Sequence, residues 1–298
     1  MKKAKAGFSE RALAQVLGAH LDAGAIVKVA YSGGIDSHVL LHALCQLREY
    51  TSWTVSAIHV DHGLHSQSAS WARHCQHVCK ALGVACIVER IRVAVGQGEG
   101  VEAMARRQRY ASLARHIGKN EALLTAHHLD DQAETVLLQL LRGAGVRGLA
   151  GIAPAKSFAS GRLLRPLLGF TREELLEYAQ RHALEWVEDS SNRDQRYSRN
   201  FVRHEVLPLL EQRWPAARRL IVRAGRHAAQ ASQVLDVVAD NDLAMAIHAD
   251  TEALSVPALM RLEGSRRENL IRYWLRRRGL SRSEEHTSEL QSHVRISY

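Results

Sequence analysis

Residues 31–37 read Tyr-Ser-Gly-Gly-Ile-Asp-Ser, and this stretch decides how the first part of the chain folds. The apolar run 25–30 precedes it, and a helical pattern over residues 38–47 follows it. A strand, a glycine-rich turn and a helix in this order form a phosphate-binding turn. Glycine lets backbone N–H groups approach an anion, and the helix start adds donors that lack a partner. We therefore expect phosphate groups to be held by Ser32, Gly33, Gly34, Ile35, Asp36 and Ser37.

Asp36 is the unusual residue of this turn, since a carboxylate beside phosphates is repulsive unless a cation lies between them. Hard cations prefer oxygen ligands and share them with phosphates. The stretch thus predicts a bound nucleotide with Mg²⁺ and makes Asp36 the candidate metal ligand and a candidate catalytic residue. It has neither the loop lysine of the Walker motif nor the glycine spacing of the dinucleotide fingerprint. A helix-capping role for Asp36 is the alternative interpretation.

Composition narrows the class of protein. The 298 residues are 46% hydrophobic, and no apolar run approaches the ~20 residues that span a bilayer, so we predict a cytoplasmic protein without a membrane partner. The four cysteines are interpreted as buried thiols of a reducing compartment. The net charge of +9 predicts an anionic partner larger than a nucleotide. Residues 196–281 carry 15 basic side chains, all arginine, against 9 acidic ones, which favours a nucleic-acid surface there.

Hydrophobic periodicity predicts the architecture. Strand patterns at residues 25–30, 54–60, 86–93 and 122–126 alternate with helical patterns, which indicates an α/β fold with a parallel, doubly wound sheet. A small all-helical domain is predicted to follow. We place the first domain at residues 1–215, the helical domain at residues 216–281 and a separate tail at residues 282–298.

Polar clusters follow three of the predicted strands, and the carboxyl ends of parallel strands are where ligands bind. Besides the turn at residues 32–37, these clusters lie at residues 59–62 and 127–131. In the second, we predict that backbone atoms of Ile58 and His59 contact adenine. In the third, Asp131 with Glu134 fits a variant of the capping box that begins a helix, which does not exclude a second role for Asp131 near the metal or the attacking group.

Arginines accompany these clusters. Arg106 and Arg109 share one face of a predicted helix, and their spacing fits a solvated face with one ion pair as well as a guanidinium pair for phosphates. Residues 188–203 form a polar segment in which turn chemistry explains the aspartate and asparagine, but not the arginines spaced beside aromatic residues.

Taken together, the motifs resemble those of a known family. The turn resembles the PP-loop signature S-G-G-x-D-S of the N-type ATP pyrophosphatases. H-V-D-H-G-L at residues 59–64, A-R-x-x-R-Y at 105–110, H-H-x-D-D-Q-x-E-T at 127–135, and D-x-S-N with R-N-x-x-R up to residue 203 follow it in order. This series is similar to that of the tRNA(Ile)-lysidine synthase family over roughly residues 25–210. His65, where many relatives carry arginine, is a small departure that puts only that contact in doubt.

The resemblance implies an activity and a set of site residues. It implies an enzyme that uses ATP and Mg²⁺ to adenylate the wobble cytidine of a tRNA(Ile) with a CAU anticodon. Free L-lysine then replaces AMP at C2. It implies that residues 32–37 hold the pyrophosphate, that Asp36 holds Mg²⁺ and that Asp131 lies near the metal or the lysine. The residues implied on the nucleotide or tRNA side are Arg106, Arg109, His127, Asp189, Asn192, Arg199 and Arg203.

Other interpretations stay open at this point. Another PP-loop tRNA-modifying enzyme, such as a thiolase, or a non-catalytic ATP- or RNA-binding module would share part of the pattern. The sequence also leaves a homodimer open. Residues 282–298 resemble translated sequencing-adapter sequence and are expected to be non-native, in which case the natural chain continues past about residue 280.

Overall fold

The computed structural model describes residues 7–61, 63, 67–91, 101–189, 194–247 and 253–280. The predicted site residue Asn192 and the predicted tail at residues 282–298 therefore lie outside the described residues. The chain forms two compact units. The first comprises residues 1–132 and 153–204, and the second comprises residues 133–152 and 205–298. The domain boundaries predicted from the sequence stay predictions.

Six strands form one sheet in the first unit. They are β1 (Ile26–Ala30), β2 (Thr54–Asp61), β3 (Ala85–Arg90), β4 (Glu121–Leu124), β5 (Ala155–Phe158) and β6 (Gly161–Leu164). The strand order is β3-β2-β1-β4-β6-β5, and every neighbouring pair is parallel except β5 and β6. The predicted α/β class with a largely parallel sheet is confirmed.

The helices of the described residues are α1 (Glu10–Gly18), α2 (Ile35–Gln46), α3 (Ser68–Ala81), α4 (Val101–Ala114), α5 (Leu129–Leu141), α6 (Val146–Leu149), α7 (Arg172–Arg181), α8 (Ser198–Phe201), α9 (Leu207–Arg213), α10 (Ala217–Ala246), α11 (Val256–Arg261) and α12 (Gly264–Arg277). A π-helical segment, Val202–Val206, joins α8 to α9. None of the helices within the described ranges is long and apolar enough to cross a bilayer.

Two apolar clusters cover the sheet of the first unit. The larger includes buried residues of α1, α2, α3 and α7, and the smaller includes Leu113 and Ile117 with residues of β2, β4 and β6. Residues Ala122–Leu124 of β4 are buried without a break, as expected for a central parallel strand that is covered on both faces. Packing on both faces holds the strands of the sheet in place. The positions of the strands then determine where the loops at their carboxyl ends lie.

The edge strand β5 was not predicted from the sequence. It pairs antiparallel with β6 through a two-residue connection, so the sheet ends in a hairpin rather than in another βα unit. Residues 155–158 read Ala-Lys-Ser-Phe, which is too short and too polar to give a strand pattern of its own. Its pairing depends on the tight turn that brings it back onto β6.

The hairpin turn contains a strained alanine. Ala159 has φ +49°, in the left-handed region that costs a non-glycine residue roughly 1–2 kcal/mol. We expect Ala159→Gly to stabilise the protein by about 0.5 kcal/mol, because the relief of strain exceeds the added chain entropy of glycine. The urea midpoint measures this change. Ser160→Gly is the matched control at a residue outside the positive-φ set, and equal stabilisation by both changes would contradict the argument.

The second unit is helical. Its longest element, α10, packs against α12, and Leu243, Ala246 and Leu270 form a small buried cluster between them. Arginines of α12 pair with aspartates of α10: Arg266 with the fully buried Asp242, and Arg276 with Asp236. These arginines, which account for part of the positive charge of this segment, are thus engaged in holding two helices together.

Candidate active site

Hydrogen bonds between its two serines and its backbone hold the glycine-rich turn in shape. Ser32 N–H donates to Ser37 Oγ at 3.2 Å, and Gly34 N–H donates to Ser32 Oγ at 3.3 Å. The Ser37 hydroxyl donates to the Gly34 carbonyl at 2.9 Å. The two serines therefore fix the shape of the loop at the start of α2, where the first backbone N–H groups of a helix lack intrahelical partners.

Gly33 is required at its position for two reasons. Its φ is +86°, and a Cβ there would lie 3.0 Å from Cys75 Sγ. Its carbonyl also accepts a hydrogen bond from Val187 N–H at 3.0 Å. The loop is thus held on both sides, by α3 and by the segment that follows α7.

The second predicted cluster lies beneath this loop. His59 is buried, and its Nδ1 donates to the Tyr31 carbonyl at 2.9 Å, while Cys75 Sγ lies 3.3 Å from the same nitrogen. Burial lowers the pKa of His59 and keeps the ring neutral. The Ile58 carbonyl accepts from Tyr31 N–H at 2.9 Å, and its side chain lies in the core. These contacts give both residues a role in supporting the loop, and the predicted adenine contact stays a prediction.

The centre of the site is His128, whose ring lies among three carboxylates. Its Nε2 lies 3.6 Å from Asp36 Oδ2 and 3.5 Å from Asp131 Oδ2, and its Nδ1 lies 3.4 Å from Asp130 Oδ2. Burial by itself lowers the pKa of His128, but the carboxylates outweigh burial and raise it to about 9. The His128 ring therefore lies between the loop residue Asp36 and the start of α5, where Asp130 N–H also donates to Nδ1 at 3.2 Å.

Asp131 is not at the position that the capping-box interpretation gave it. Helix α5 begins at Leu129, so Asp131 is its third residue, and its Oδ2 accepts from His128 N–H at 3.1 Å. The prediction that Asp131 is the first residue of a D-x-x-E box was wrong, because the helix starts two residues earlier. The other oxygen of Asp131 accepts from Arg203 Nη2 at 3.0 Å. Burial tends to raise the pKa of Asp131, but His128, His127 and Arg203 lower it below its usual value.

The environment of the Asp36 carboxylate bears on metal binding. Its Oδ1 is buried and has no hydrogen-bond partner among the described residues, and burial raises the pKa of this carboxyl despite the nearby His128. An unpartnered carboxylate oxygen at a phosphate-binding turn fits a hard cation such as Mg²⁺. The part of the chain that the structure describes has no group of three or more His, Cys, Asp or Glu side chains arranged to hold a metal. The assignment of Asp36 as a Mg²⁺ ligand stays a prediction.

Three helices begin around this point. The start of α2 carries Asp36, and the start of α5 carries Asp130 and Asp131. The start of α7 is tied to that of α5, because Arg172 N–H donates to Asp130 Oδ2 at 2.8 Å. Leu129 N–H also donates to the Phe170 carbonyl at 2.8 Å. The starts of α5 and α7 are thereby fixed to one another.

Positive charge lies on the other side of Asp131. Burial lowers the pKa of His127 to about 3. The guanidinium groups of Arg165, Arg106 and Arg199 lower this pKa further, whereas Asp131 raises it. His127 Nδ1 is 2.9 Å from Thr125 Oγ1. The structure therefore brings Asp36, Asp131 and Arg203 together around His128, and His127 interacts electrostatically with Asp131, Arg106 and Arg199.

The structure gives little information on two of the residues predicted for the nucleotide or tRNA side. Arg109 and Asp189 are described and half-buried, and their roles toward nucleotide or tRNA stay predictions.

Sequence reasoning missed four residues of the site. His128 and Asp130 lie within the quoted H-H-x-D-D motif, so the motif contained the signal. Arg172 contributes a backbone group, which no side-chain pattern can reveal. Arg165 immediately follows β6 and was interpreted only as part of a strand, although a charged residue within an apolar run is an available signal. The missed residues are His128, Asp130, Arg165 and Arg172.

The fold and this site define a class of protein. The model of the PP-loop domain family matches residues 8–210, and the chain belongs to that family. A second family model, the TilS substrate binding domain, matches residues 254–296. The second match includes residues 282–296, which the sequence analysis assigns to a non-native tail, and that assignment stays a prediction.

Curated relatives narrow the resemblance further. The chain is 50% identical to the tRNA(Ile)-lysidine synthase of Alkalilimnicola ehrlichii over 85% of this chain and 56% of the relative. It is 44% identical to that of Coxiella burnetii, over 83% of this chain and 55% of the relative, and 46% identical to that of Methylococcus capsulatus, over 88% and 60%. The resemblance inferred from the sequence motifs is confirmed. The chain spans a little more than half the length of these relatives.

Among solved structures, the U34-tRNA thiolase NcsA from Methanococcus maripaludis with its 4Fe–4S cluster has a similar fold. The TM-score is 0.59 at 19% sequence identity, and the match covers 73% of this chain and 77% of the thiolase. At this identity the likeness supports the fold alone.

Proposed function

We propose that this protein ligates L-lysine to C2 of the wobble cytidine in a CAU-anticodon tRNA(Ile), through an adenylated tRNA intermediate. Cytidine O2 attacks the α-phosphorus of ATP and displaces diphosphate. The lysine amine then attacks C2, loses a proton and displaces AMP, which leaves with O2. The adenylation step is needed because a carbonyl-like oxygen is a poor leaving group and AMP is a good one.

The observation that carries the proposal is Asp36 Oδ1, a buried carboxylate oxygen without a partner at the phosphate-binding turn. An unpaired buried oxygen is costly, and a bound cation between it and a triphosphate would satisfy it. When bound, Mg²⁺ would neutralise the negative charge that develops as diphosphate leaves. A module that only bound RNA would gain little from this arrangement.

The roles of the remaining site residues are assigned from their contacts and charges. The serines at residues 32 and 37 bond to each other and hold the loop in shape, and we assign this loop to binding the phosphates. Asp131 is a weak base, since its pKa is lowered, so we assign it to holding a cationic amine or the metal rather than to taking a proton. Arg203 fixes the orientation of Asp131 through the contact at 3.0 Å.

A thiolase is the alternative within the same family. Thiolase chemistry of the kind considered in the sequence analysis requires reactive thiolates. Cys75 and Cys79 are buried, and burial raises the pKa of Cys75 to about 12. Cys75 therefore packs beneath the loop as an apolar residue.

The direct test is lysine transfer. The protein is incubated with ATP, Mg²⁺, labelled lysine and unmodified CAU-anticodon tRNA(Ile), and label in the tRNA and AMP in solution are measured. We expect one label per tRNA and one AMP per label. A tRNA in which uridine replaces the wobble cytidine is the control. Release of ADP, or label that does not depend on the wobble base, would exclude this function.

A second prediction concerns Asp131 and Arg203. We expect Asp131→Asn to lower kcat for lysine transfer by roughly 10²-fold, because the amide keeps the His128 N–H contact but loses the charge. We expect Arg203→Gln to cost much less in the Asp131→Asn background than in the wild type, since the two side chains act as a pair. Steady-state kinetics of the four proteins measures this coupling.

The control for that cycle is Glu177→Gln, an acid-to-amide change at an exposed position of α7. It is expected to leave kcat unchanged. Fully additive effects of the changes at residues 131 and 203 would contradict the assignment of Arg203 as a positioning residue.

A further inference from the structure

Three cationic side chains surround one tyrosine beside the candidate site. Arg106 Cζ lies 5.2 Å from the ring centroid of Tyr110, and Lys156 Nζ lies 6.0 Å from it. Arg165 also interacts electrostatically with the same tyrosine. Tyr110 also packs edge-on against Phe158 at 6.0 Å, so the ring is fixed between α4 and the edge hairpin. We call Arg106, Lys156 and Arg165 the Tyr110 cation group.

Arg165 is the member that requires explanation. It is only 7% exposed, and its Nη1 donates to the Ala153 carbonyl at 2.6 Å. Its Nε is buried and has no hydrogen-bond partner among the described residues. A buried guanidinium with an unpaired N–H is costly unless an anion completes it. Burial lowers the pKa of Arg165, and the nearby Arg106 adds to that effect.

The Tyr110 cation group has a net positive charge that the nearby acidic side chains do not cancel. The acid that acts on the adjoining His127 is Asp131, which is already engaged with Arg203 and His128. The positive charges of Arg165, Arg106 and Arg199 disfavour a proton on His127 and so lower its pKa. The candidate site thus has an acidic half around His128 and a cationic half around Tyr110.

Position in the fold places the cationic half at the ligand-binding edge. Arg165 immediately follows β6 and His127 follows β4, and these strands are parallel neighbours. Both residues therefore lie at the carboxyl ends of adjacent strands, on the side of β4 away from the turn at residues 32–37, which follows β1.

We propose that the Tyr110 cation group is a phosphate-binding subsite, distinct from the turn at residues 32–37, with Arg165 as its buried anchor. Guanidinium forks match phosphate oxygens, and a group of three cationic side chains suits the charge of a phosphate better than that of a single carboxylate. The proposal rests on the proposed function for the source of the phosphate, which is either the tRNA backbone near the wobble nucleotide or the nucleotide's own β- or γ-phosphate.

The test uses the full 298-residue chain with the variants Arg106→Gln and Lys156→Gln, whose side chains are exposed and whose replacement is not expected to affect folding. The matched controls are Arg107→Gln, the neighbouring exposed arginine of α4, and Lys119→Gln. Arg165→Lys keeps the charge but loses the fork, and its thermal unfolding is recorded to separate binding from folding.

Two binding measurements distinguish the sources. The first is the dissociation constant of unmodified CAU-anticodon tRNA(Ile) without ATP, over a series of KCl concentrations. The second is the dissociation constant of ATP with Mg²⁺, without tRNA. If the tRNA supplies the phosphate, Arg106→Gln weakens tRNA binding about tenfold and lowers the salt slope by about 0.7, with ATP binding unchanged. If the nucleotide supplies it, ATP binding alone weakens by about tenfold.

Either result supports the subsite. It is overturned if Arg106→Gln and Lys156→Gln match their controls in both measurements, or if they change only the KM for lysine, which would indicate a carboxylate site. Neither binding measurement needs lysine transfer. A wild-type protein that binds but does not transfer lysine would refute the proposed function and leave the subsite standing.

Discussion

Asp36→Asn is expected to reduce ATP–diphosphate exchange in the presence of tRNA by at least about 10³-fold while the fold is retained. The amide has the size and shape of the carboxylate but no charge, so it cannot balance a divalent cation next to phosphates. Asp36 Oδ2 faces His128 Nε2 at 3.6 Å, and Oδ1 has no partner among the described residues, so no hydrogen bond of this side chain holds a helix or strand. The loss should therefore appear in chemistry and not in stability.

The measurement is exchange of labelled diphosphate into ATP, accompanied by thermal unfolding without ligands. We expect the melting temperature of the variant to stay close to that of the wild type, because relief of the unpartnered Oδ1 is offset by loss of the charge that faces His128. Asp22→Asn, at an exposed position of the same unit, is the control. Exchange within tenfold of wild type would remove Asp36 from the mechanism.

Gly161→Ala is expected to have the largest effect on stability, a loss of about 3 kcal/mol or more. A Cβ at this position would lie 2.2 Å from the Glu121 carbonyl oxygen and 2.8 Å from that of Gly118. Both obstacles are backbone atoms of the neighbouring strand β4 and of the turn before it, so neither can rotate away. Strand β6 would have to move off β4, together with Arg165 at its end.

Urea unfolding followed by circular dichroism measures this loss. Gly169→Ala is the matched control, because nothing lies within 4 Å of its Cβ and its φ is not positive. It is expected to change stability by less than about 0.5 kcal/mol. Equal midpoints for the two variants would show that the close approach at Gly161 is not a constraint on the sheet.

The sequence was sufficient for the parts of the fold that repeat a local pattern. The turn at residues 32–37 combines glycines, hydroxyl groups and a helix start within seven residues, so its role could be predicted without distant contacts. The convergence of Asp36 with His127 and Asp131 followed from one rule about parallel strands. In each case a short-range signal and a general rule of topology were enough.

What the sequence could not give depends on contacts between distant segments. The edge strand β5 has no pattern of its own, and Arg165 matters because of its burial against Ala153 and Tyr110. The capping error at Asp131 has the same origin. Whether an aspartate is the first or third residue of a turn depends on where the helix starts, and here it starts after His128, whose ring is held between Asp36 and Asp131.

The meeting of three helix starts, at Ile35, Leu129 and Arg172, has a consequence for how the protein should respond to its surroundings. Aligned peptide dipoles give each start a partial positive charge that no proton can neutralise. Titration or the loss of a single side chain would therefore weaken the attraction of these three helix starts for anions without abolishing it. A residual affinity for inorganic diphosphate should persist when every ionisable group around it has been replaced.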